Sequence, residues 1–329
     1  MSHIPVMLDH VIEHLQPKSG DIIVDGTFGG GGYSRRILAS ASCQVKGIDR
    51  DPDAISRAEP LVAEFPERFE LMQGAFGDLE VLLEDRGIKT VDAIVLDLGV
   101  SSFQLDEADR GFSFMRDGPL DMRMSQSGPS AADVINHADE ADLADIIFQL
   151  GEERDSRRIA RQIVRERNEA AFATTLQLAD AVERSVGGRR GKRTHPATKT
   201  FQALRMFVND ELGELARGLV AAERMLAEGG RLVVVTFHSL EDRMVKSFLA
   251  ERSGKQEGGS RFMPQVPDAG PAPSFENLRR VTAPDTAEIA ENVRARSSRL
   301  RSAVRTAAPA WEAEVESPNS LPELSEVVS

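Results

Sequence analysis

Asp25-Gly26-Thr27-Phe28-Gly29-Gly30-Gly31-Gly32 is the stretch of this sequence that decides its fold. It follows residues 21–24, which have the pattern of a short buried strand, and precedes residues 34–40, which have helical composition. A buried strand that runs into a glycine-rich turn and then a helix brings bare backbone against a ligand at the carboxyl edge of a sheet. Glycine permits the close approach and the positive backbone torsions that such a turn requires. The stretch therefore predicts a ligand-binding turn in an α/β protein.

Strand and helix patterns alternate along the first hundred residues. Further apolar strand patterns occur at residues 45–48, 69–72 and 91–96, with a helical pattern at residues 53–64. This alternation is typical of a parallel sheet with helices on both faces. From about Phe103 to Lys199 the strand patterns are missing and helical patterns replace them. We interpret this interruption as a helical insertion into the sheet domain.

The alternation resumes after Lys199. Apolar residues at steps of three or four predict one long helix over residues 200–228, and residues 231–237 have the composition of a fifth buried strand. Residues 278–282 and 298–306 are weaker strand candidates that would complete the sheet. We therefore predict the α/β class, with a Rossmann-like, mostly parallel sheet and an inserted helical domain.

The predicted domain boundaries follow from this reading. Residues 1–104 and 200–306 form the sheet domain, and residues 105–199 form the inserted helical domain. Residues 307–329 are rich in Glu, Pro and Ser, and we predict that they form a disordered acidic tail.

Acidic and aromatic residues follow successive predicted strands. Asp49, Phe76 and Asp97 come after the second, third and fourth strands, where an acid can accept hydrogen bonds from ribose and an aromatic ring can lie against adenine. The dinucleotide fingerprint fails because Ser34 or Arg35 stands where its last glycine belongs. An acidic rim without phosphate-binding basic residues suits a nucleoside cofactor that carries a positive sulfonium. Helix capping by Asp49 and core packing of Phe76 are the alternative interpretations.

Charge is distributed unevenly along the chain, whose formal net charge is −13. Residues 1–150 contain 12 Lys/Arg and 27 Asp/Glu, whereas residues 151–205 contain 13 and 7. An acidic body with a basic segment can bind a polyanion locally, although solvated helix faces would explain the same pattern.

No apolar run or leader pattern indicates a membrane segment, and the one cysteine excludes an internal disulfide, so we predict a cytoplasmic protein.

Four longer motifs are more specific than the fold. They are DLGVSSFQLD at residues 97–106, RGFSFMRDGPLDMRM at 110–124, HPATKTFQALR at 195–205 and TFHSLEDR at 236–243. With these motifs in this order, the chain closely resembles the bacterial 16S ribosomal RNA (cytosine-N4)-methyltransferases. The resemblance runs from about His3 to Arg301 and leaves out the acidic tail.

The resemblance implies a class I methyltransferase fold that binds S-adenosyl-L-methionine. It implies N4-methylation of a cytidine in the decoding region of 16S rRNA, with the small ribosomal subunit as partner and the helical insertion as substrate-recognition domain. The cofactor-binding positions carried over by motif are Gly31, Gly32, Tyr33, Asp49, Phe76, Asp97 and Gln104. The family often has His at the position of Tyr33, which is harmless if the backbone makes the contact.

Asp97 is the candidate catalytic residue, either as acceptor for the cytosine amine or as contact for the methionine end of the cofactor. A target base must leave its stack to reach the methyl group, and Phe112 and Phe114 are candidates to receive it, with core packing as the alternative. The expected contacts to RNA phosphates are Arg189, Arg190, Lys192 and Arg193, and His195 is a further candidate to contact the substrate RNA. The six histidines and one cysteine have no metal-ligand spacing, so we expect no metal.

Three other functions remain compatible with parts of the sequence. A nicotinamide-dependent oxidoreductase is disfavoured by the failed glycine fingerprint. A non-catalytic ribosome-assembly factor is disfavoured by the intact glycine turn together with Asp49 and Asp97. Methylation of DNA or protein stays open.

Overall fold

The computed structural model of the protein describes residues 5–189, 194–254, 270–313, 315 and 320–328. Seven strands form one sheet in these ranges: β1 (Ile22–Asp25), β2 (Gln44–Asp49), β3 (Phe69–Gln73), β4 (Val91–Asp97), β5 (Leu226–Thr236), β6 (Phe275–Glu276) and β7 (Arg299–Arg305). Their order is β3-β2-β1-β4-β5-β7-β6. The first five strands run parallel, and β7 is antiparallel to both β5 and β6. The predicted α/β fold with a mostly parallel sheet is confirmed.

The helices of the described ranges connect and extend this sheet. They are α1 (Leu8–Leu15), α2 (Gly32–Ser40), α3 (Asp53–Glu64), α4 (Leu79–Glu84), α5 (Ser102–Asp106), α6 (Ala131–His137), α7 (Glu140–Gly151), α8 (Ser156–Arg167), α9 (Thr175–Val186), α10 (Thr198–Val208), α11 (Glu211–Met225), α12 (Ser239–Arg252), α13 (Thr286–Glu291) and α14 (Leu324–Val327). Within the part of the chain that is described, none of them has both the length and the apolar character of a membrane span.

The central strands are buried on both faces. In β4, all of residues 93–96 are fully buried, and the same holds for residues 232–235 of β5. Because successive side chains of a strand point to opposite faces, continuous apolar runs such as these require cover on both sides. A polar side chain follows the buried run at the carboxyl end of two central strands, Asp25 in β1 and Asp97 in β4.

The structure divides the chain into two compact units at boundaries that differ from the predicted ones. The sheet unit comprises Met1–Gly99 and Gly213–Glu316, and the helical unit comprises Val100–Leu212 and Ser317–Ser329. Helix α10, which we assigned to the sheet domain, belongs to the helical unit because it packs closely on α7. A Cβ added at Gly151 of α7 would lie 2.7 Å from the Lys199 carbonyl oxygen of α10. Helical periodicity alone could not assign this helix to a unit.

The predicted single helix over residues 200–228 is wrong. The chain forms α10 and α11 instead, separated by Asn209 and Asp210. Asp210 has a φ of 47°, in the left-handed region that interrupts a helix. The apolar period continues across the break, so periodicity did not reveal it.

The C-terminal strands were predicted in part. The candidate at residues 298–306 is confirmed by β7, but the candidate at residues 278–282 contributes only an isolated bridge between Thr282 and Leu300. The last strand of the sheet lies earlier, at Phe275–Glu276. Strand β5 also begins five residues before the predicted start, because Leu226 pairs with Val91 ahead of an irregularity in the register.

The acidic tail also differs from the disordered segment that we predicted, over the residues described. In the sheet unit, the Trp311 ring lies 4.5 Å from the guanidinium carbon of Arg252, which is fully buried. The Trp311 amide donates to Glu223 Oε1 (3.1 Å), and Arg252 Nε donates to Glu223 Oε2 (3.0 Å). In the helical unit, Val327 of α14 is buried. Composition underestimated this tail because a few large side chains, rather than a long apolar run, anchor it.

Candidate active site

Polar side chains lie at the carboxyl ends of neighbouring parallel strands in the sheet unit. Asp25 ends β1, Asp49 ends β2 and Asp97 ends β4, while Phe76 follows β3. Strand β1 pairs with both β2 and β4, and Asp25 is in register with Gly47 on one side and Val95 on the other. The structure therefore brings the two predicted acids, Asp49 and Asp97, to one edge of the sheet, together with Asp25.

The glycine turn owes its shape to close packing as well as to backbone torsions. Gly31 has a φ of 74°, and a Cβ there would lie 2.7 Å from the Phe28 ring. At Gly32 a Cβ would lie 2.1 Å from Cγ of Pro5. Both glycines begin α2, whose first amides point out of the helix without partners inside it. The turn can thus present backbone N–H groups to a ligand, while its glycines are required by their protein neighbours.

Asp49 is held by the backbone on both sides of its carboxylate. Its Oδ2 accepts a hydrogen bond from the Gly29 amide (2.7 Å), and its Oδ1 accepts one from the Asp51 amide (2.8 Å). Burial raises the pKa of Asp49 despite these bonds. Each carboxylate oxygen keeps a second lone pair, so this fixed group can still accept hydrogen bonds from a hydroxyl.

Arg57 is a supporting residue that the sequence reasoning missed. Its Nη2 lies 3.2 Å from Asp51 Oδ2, and its Nε donates to the Gly29 carbonyl oxygen (3.1 Å). It therefore ties the start of α3 to the glycine turn. No motif identified it, because its position on α3 is typical of a solvated arginine.

Phe76 is positioned by α11, whose Glu214 lies 138 residues further along the chain. The Phe76 amide donates to Glu214 Oε1 (3.0 Å), and Glu214 Oε2 lies 2.5 Å from Arg50 Nη1. A Cβ at Gly218 would lie 2.6 Å from the Phe76 ring. Phe76 itself is half-buried, so it is not an interior core aromatic. Glu214 and Gly218 were missed because only the folded chain places them beside Phe76.

Asp97 has the most unusual environment of the predicted site residues. Its Oδ1 is buried and has no hydrogen-bond partner within the described part of the chain. Burial raises the pKa of Asp97 well above its ordinary value, and the nearby charges of Asp25 and Glu241 raise it further. A buried acceptor without a donor costs roughly 1–3 kcal/mol, so its presence here requires an explanation other than stability.

Tyr33 lies beside Asp97 but does not satisfy it. The nearby Tyr33 hydroxyl lowers the pKa of Asp97, against the larger effect of burial. The one proton of this hydroxyl, however, is donated to the Val6 carbonyl oxygen. The ring is buried among the apolar residues of the sheet unit. The Tyr33 side chain therefore serves packing, and only its backbone is available for a ligand at the turn.

Asp25 adds a second buried acid behind the turn. It is fully buried, and its Oδ2 accepts a hydrogen bond from Ser34 Oγ (2.6 Å). Burial raises the pKa of Asp25 to about 6. The acids at this edge make the surroundings of Asp97 unfavourable for a further negative charge and favourable for a cation.

The loop after β5 is held by another buried acid, Glu241. Its Oε2 accepts hydrogen bonds from the amides of Phe237 (3.0 Å) and His238 (3.1 Å) at the start of α12. The next residue, Asp242, forms a two-pronged ion pair with Arg301 of β7 at 2.7 and 2.9 Å. The TFHSLEDR motif thus fixes the end of β5 relative to β7.

In the helical unit, Gln104 and two of the candidate substrate residues are packed. Gln104 is buried and forms a capping box with Ser101 at the start of α5. Phe112 is 7% exposed, so its ring is not presented for stacking. The Phe114 ring lies between the rings of His195 and Phe201, with centroid distances of 4.7 Å to each.

His195 makes protein contacts on both of its nitrogens. Its Nδ1 accepts the Ala197 amide (3.1 Å), which leaves the proton on Nε2, 3.1 Å from Glu183 Oε2. Arg189 lies 3.6 Å from the same Glu183 carboxylate and stays largely exposed. The other predicted phosphate contacts, Arg190, Lys192 and Arg193, lie outside the described residues.

Within the described ranges, no group of three or more His, Cys, Asp or Glu side chains could hold a metal ion.

Comparison with known proteins places these features in a family. The model of the MraW methylase family matches residues 1–306. A ribosomal RNA small subunit methyltransferase H from Hyphomonas neptunium is 60% identical, with 99% of this chain and 95% of that protein covered. Proteins of the same name from Caulobacter vibrioides and Rhodospirillum rubrum are 58% and 55% identical; each comparison covers 94% of this chain, and 98% and 96% of those proteins.

Among solved structures, a ribosomal RNA methylase from Streptococcus thermophilus is 12% identical with a TM-score of 0.36, covering 91% of this chain and 93% of that one. The sheet described above is the predicted class I methyltransferase fold. Its acid-lined strand ends and glycine turn lie within the matched residues, and the chain belongs to the MraW methylase family.

Proposed function

We propose that this protein uses S-adenosyl-L-methionine to methylate N4 of a cytidine in the decoding region of 16S rRNA. The observation that carries the proposal is the buried, unpartnered Oδ1 of Asp97 at the acid-lined end of β4. The names of the relatives, which are small-subunit ribosomal RNA methyltransferases, support the substrate class. The cytidine position follows from the motif resemblance.

The residues at the sheet edge fit the proposed cofactor. The backbone of Gly31, Gly32 and Tyr33 would face its methionine part, Asp49 would accept hydrogen bonds from the ribose, and half-buried Phe76 would lie against the adenine. S-adenosyl-L-methionine supplies an electrophilic methyl group on a positively charged sulfonium. The acids Asp25 and Asp97 favour that charge by simple Coulomb attraction in a buried setting. Gln104 completes the positions implied by the motif.

The chain's own contribution to the reaction is positioning. The cytosine amine is a weak nucleophile because its lone pair is delocalised into the ring. A carboxylate that accepts one N–H of this amine draws it towards tetrahedral geometry and holds it in line with the methyl group. Asp97 Oδ1 is an acceptor without a donor in the described chain, so it can take this role without breaking another bond.

The helical unit is proposed to recognise the RNA. Residues 151–205 carry its excess of basic residues, among them Arg189, Arg190, Lys192 and Arg193. Contacts of such residues to phosphates position a substrate without reading its sequence. This substrate would also place the protein in the cytoplasm.

Replacing Arg189, Arg190, Lys192 and Arg193 together by Ala should weaken binding to small subunits and flatten its salt dependence. Each lost phosphate contact lowers the slope of log K against log salt by about 0.7 to 0.9. A matched control replaces the half-exposed Arg35 and Arg36 of α2. An unchanged slope in the four-residue variant would show that the RNA binds elsewhere.

The function itself is tested with small subunits from cells that lack this protein. The purified protein and S-adenosyl-L-methionine should add a methyl group to one cytidine of the decoding region, seen by mass mapping of the 16S rRNA. A methyl group elsewhere would refute the assigned position. Binding to subunits without any transfer would favour an assembly factor, and binding of NAD in place of S-adenosylhomocysteine would favour an oxidoreductase.

A further inference from the structure

Met115 of the helical unit is exposed to an unusual degree. Its side chain is 83% exposed, whereas the next most exposed large hydrophobic residue of the described chain, Val81, is 57% exposed. Scattered apolar residues on a surface need no explanation by themselves. Met115 differs because the loop that carries it is firmly held.

The loop is tied to the start of α9. Asp117 Oδ1 accepts hydrogen bonds from the amides of Leu176 and Gly118, both at 3.1 Å. The Gly118 carbonyl in turn accepts the Thr175 amide (2.9 Å). A Cβ at Gly118 would lie 2.0 Å from the Ala108 carbonyl oxygen, so the backbone on this side has no room to shift.

The other side of the loop is also braced. The Met115 amide donates to Ser113 Oγ (3.2 Å), and the Arg116 guanidinium donates to the Asp106 carbonyl oxygen. Phe114, directly before Met115, packs between His195 and Phe201. The backbone conformation of residues 113–118 is thus fixed, and it holds one flexible, unbranched apolar side chain in solvent.

The surroundings indicate a polyanion with flat apolar faces as the partner. His195, whose ring contacts Phe114, lies 3.1 Å from the Glu183 carboxylate, and the largely exposed guanidinium of Arg189 lies 3.6 Å from the same group. A protein partner would be expected to meet an apolar patch, whereas a nucleic acid accepts a lone apolar side chain between two stacked bases. Methionine is among the residues that enter base steps as wedges.

We propose that Met115 is a wedge that inserts between bases of the substrate RNA and holds the target nucleotide out of its stack. The inference rests on the proposed function, which requires an extruded cytidine. Met115 is a positioning residue here: it takes the place of the departing base and leaves the chemistry to the sheet unit.

The test compares Met115→Ala and Met115→Leu in methyl transfer to unmethylated small subunits. Ala is too short to fill the place of an extruded base, so Met115→Ala should lower kcat/KM by about 5- to 100-fold. Met115→Leu should retain most of the activity. The control is Phe148→Ala, since Phe148 lies on α7 of the same unit, is 56% exposed and should be dispensable. Binding of S-adenosylhomocysteine should be equal in all of these proteins.

A second substrate separates a wedge from a merely structural residue. Small subunits in which the base pair next to the target cytidine has been mismatched should restore transfer by Met115→Ala towards the wild-type rate, because extrusion then costs less. Equal rates for wild type and Met115→Ala, or no rescue by the mismatch, would overturn the wedge while the proposed function stands. A wild-type protein that transfers no methyl group would overturn both.

Discussion

Asp97 in the sheet unit and Asn209 in the helical unit are both polar groups in buried surroundings, but their hydrogen bonding is opposite. Asn209 Oδ1 accepts the Met124 amide (2.8 Å), and its Nδ2 donates to the carbonyl oxygens of Met122 (2.7 Å) and Arg205 (2.8 Å). Asp97 Oδ1 has no donor within the described chain. Asn209 uses its polar atoms to fix a loop, whereas Asp97 keeps one available.

The pKa values of the acids follow the same division. In the helical unit, hydrogen bonds from Ser130 lower the pKa of Asp133, and those from Arg123 contribute to a lowered pKa of Asp121 although burial opposes them. At the sheet edge, burial raises the pKa values of Asp25, Asp49 and Asp97. Acids whose ionised form is stabilised by neighbouring donors hold the fold together. Acids whose ionised form is destabilised by burial are candidates to bind a cationic ligand.

The largest expected effect comes from Asp97→Asn. Methyl transfer should fall by about 100-fold or more, the loss seen when one preorganised polar group is removed from an active site. Folding should not suffer. Because burial raises the pKa of native Asp97 above its value in the unfolded chain, the contribution of this group to stability falls as pH rises above about 4, and Asn removes that loss.

An assay of methyl transfer measures the predicted loss of activity, and urea unfolding at about pH 8 measures the free energy of unfolding. Asp85→Asn, at the end of α4, serves as the exposed control. Normal turnover by Asp97→Asn would mean that the unpartnered carboxylate is not used. A variant that is both inactive and much less stable would make Asp97 part of the scaffold.

The second effect concerns the satisfied network of the helical unit. Asn209→Ala should lower the free energy of unfolding by about 2–3 kcal/mol, because it leaves the buried Met124 amide and Met122 carbonyl without partners. Urea unfolding measures the change, and Asn168→Ala, at the exposed end of α8, is the matched control. If Asn209→Ala left the free energy of unfolding unchanged but abolished methyl transfer, Asn209 would belong to the active site and not to the structural framework.

The smallest effect is a pH dependence of ligand choice. As Asp97 ionises, it attracts a sulfonium but gains little from the neutral thioether of S-adenosylhomocysteine. The affinity ratio of S-adenosyl-L-methionine to S-adenosylhomocysteine should therefore rise about 10-fold as the pH increases above the ordinary aspartate pKa of about 4, because burial raises the pKa of Asp97. Calorimetric titration of both ligands measures the ratio, and Asp97→Asn should flatten its rise. A ratio independent of pH in the wild type would remove the acids from the cofactor site.

The sequence predicted the sheet edge well because strand position determines it. Asp49 and Asp97 close apolar strands, and the carboxyl ends of parallel strands meet at one edge. The sequence could not predict the residues that hold this edge in place. Glu214 holds Phe76, and Arg57 holds the glycine turn, through contacts that exist only after the chain has folded.

The helical unit was predicted less well, for two physical reasons. Helical periodicity continues through Asn209 and Asp210, so the break between α10 and α11 and the unit boundary beside it were invisible. Aromatic residues next to a motif also do not reveal which ring is exposed. Phe112 proved to be buried, while neighbouring Met115, which attracted no attention as a sequence feature, is the exposed side chain.

The position of Trp311 has a practical consequence for spectroscopy. It is the only tryptophan in the chain, and its indole N–H donates to the Ala272 carbonyl oxygen (2.9 Å) while its ring rests on Arg252. Intrinsic fluorescence excited at the indole band therefore reports one event, the seating of the residues beyond β7 on α12. Its wavelength and quenching give a label-free signal for that event in the unmodified protein, and an unfolding curve followed this way can be compared with one followed by circular dichroism.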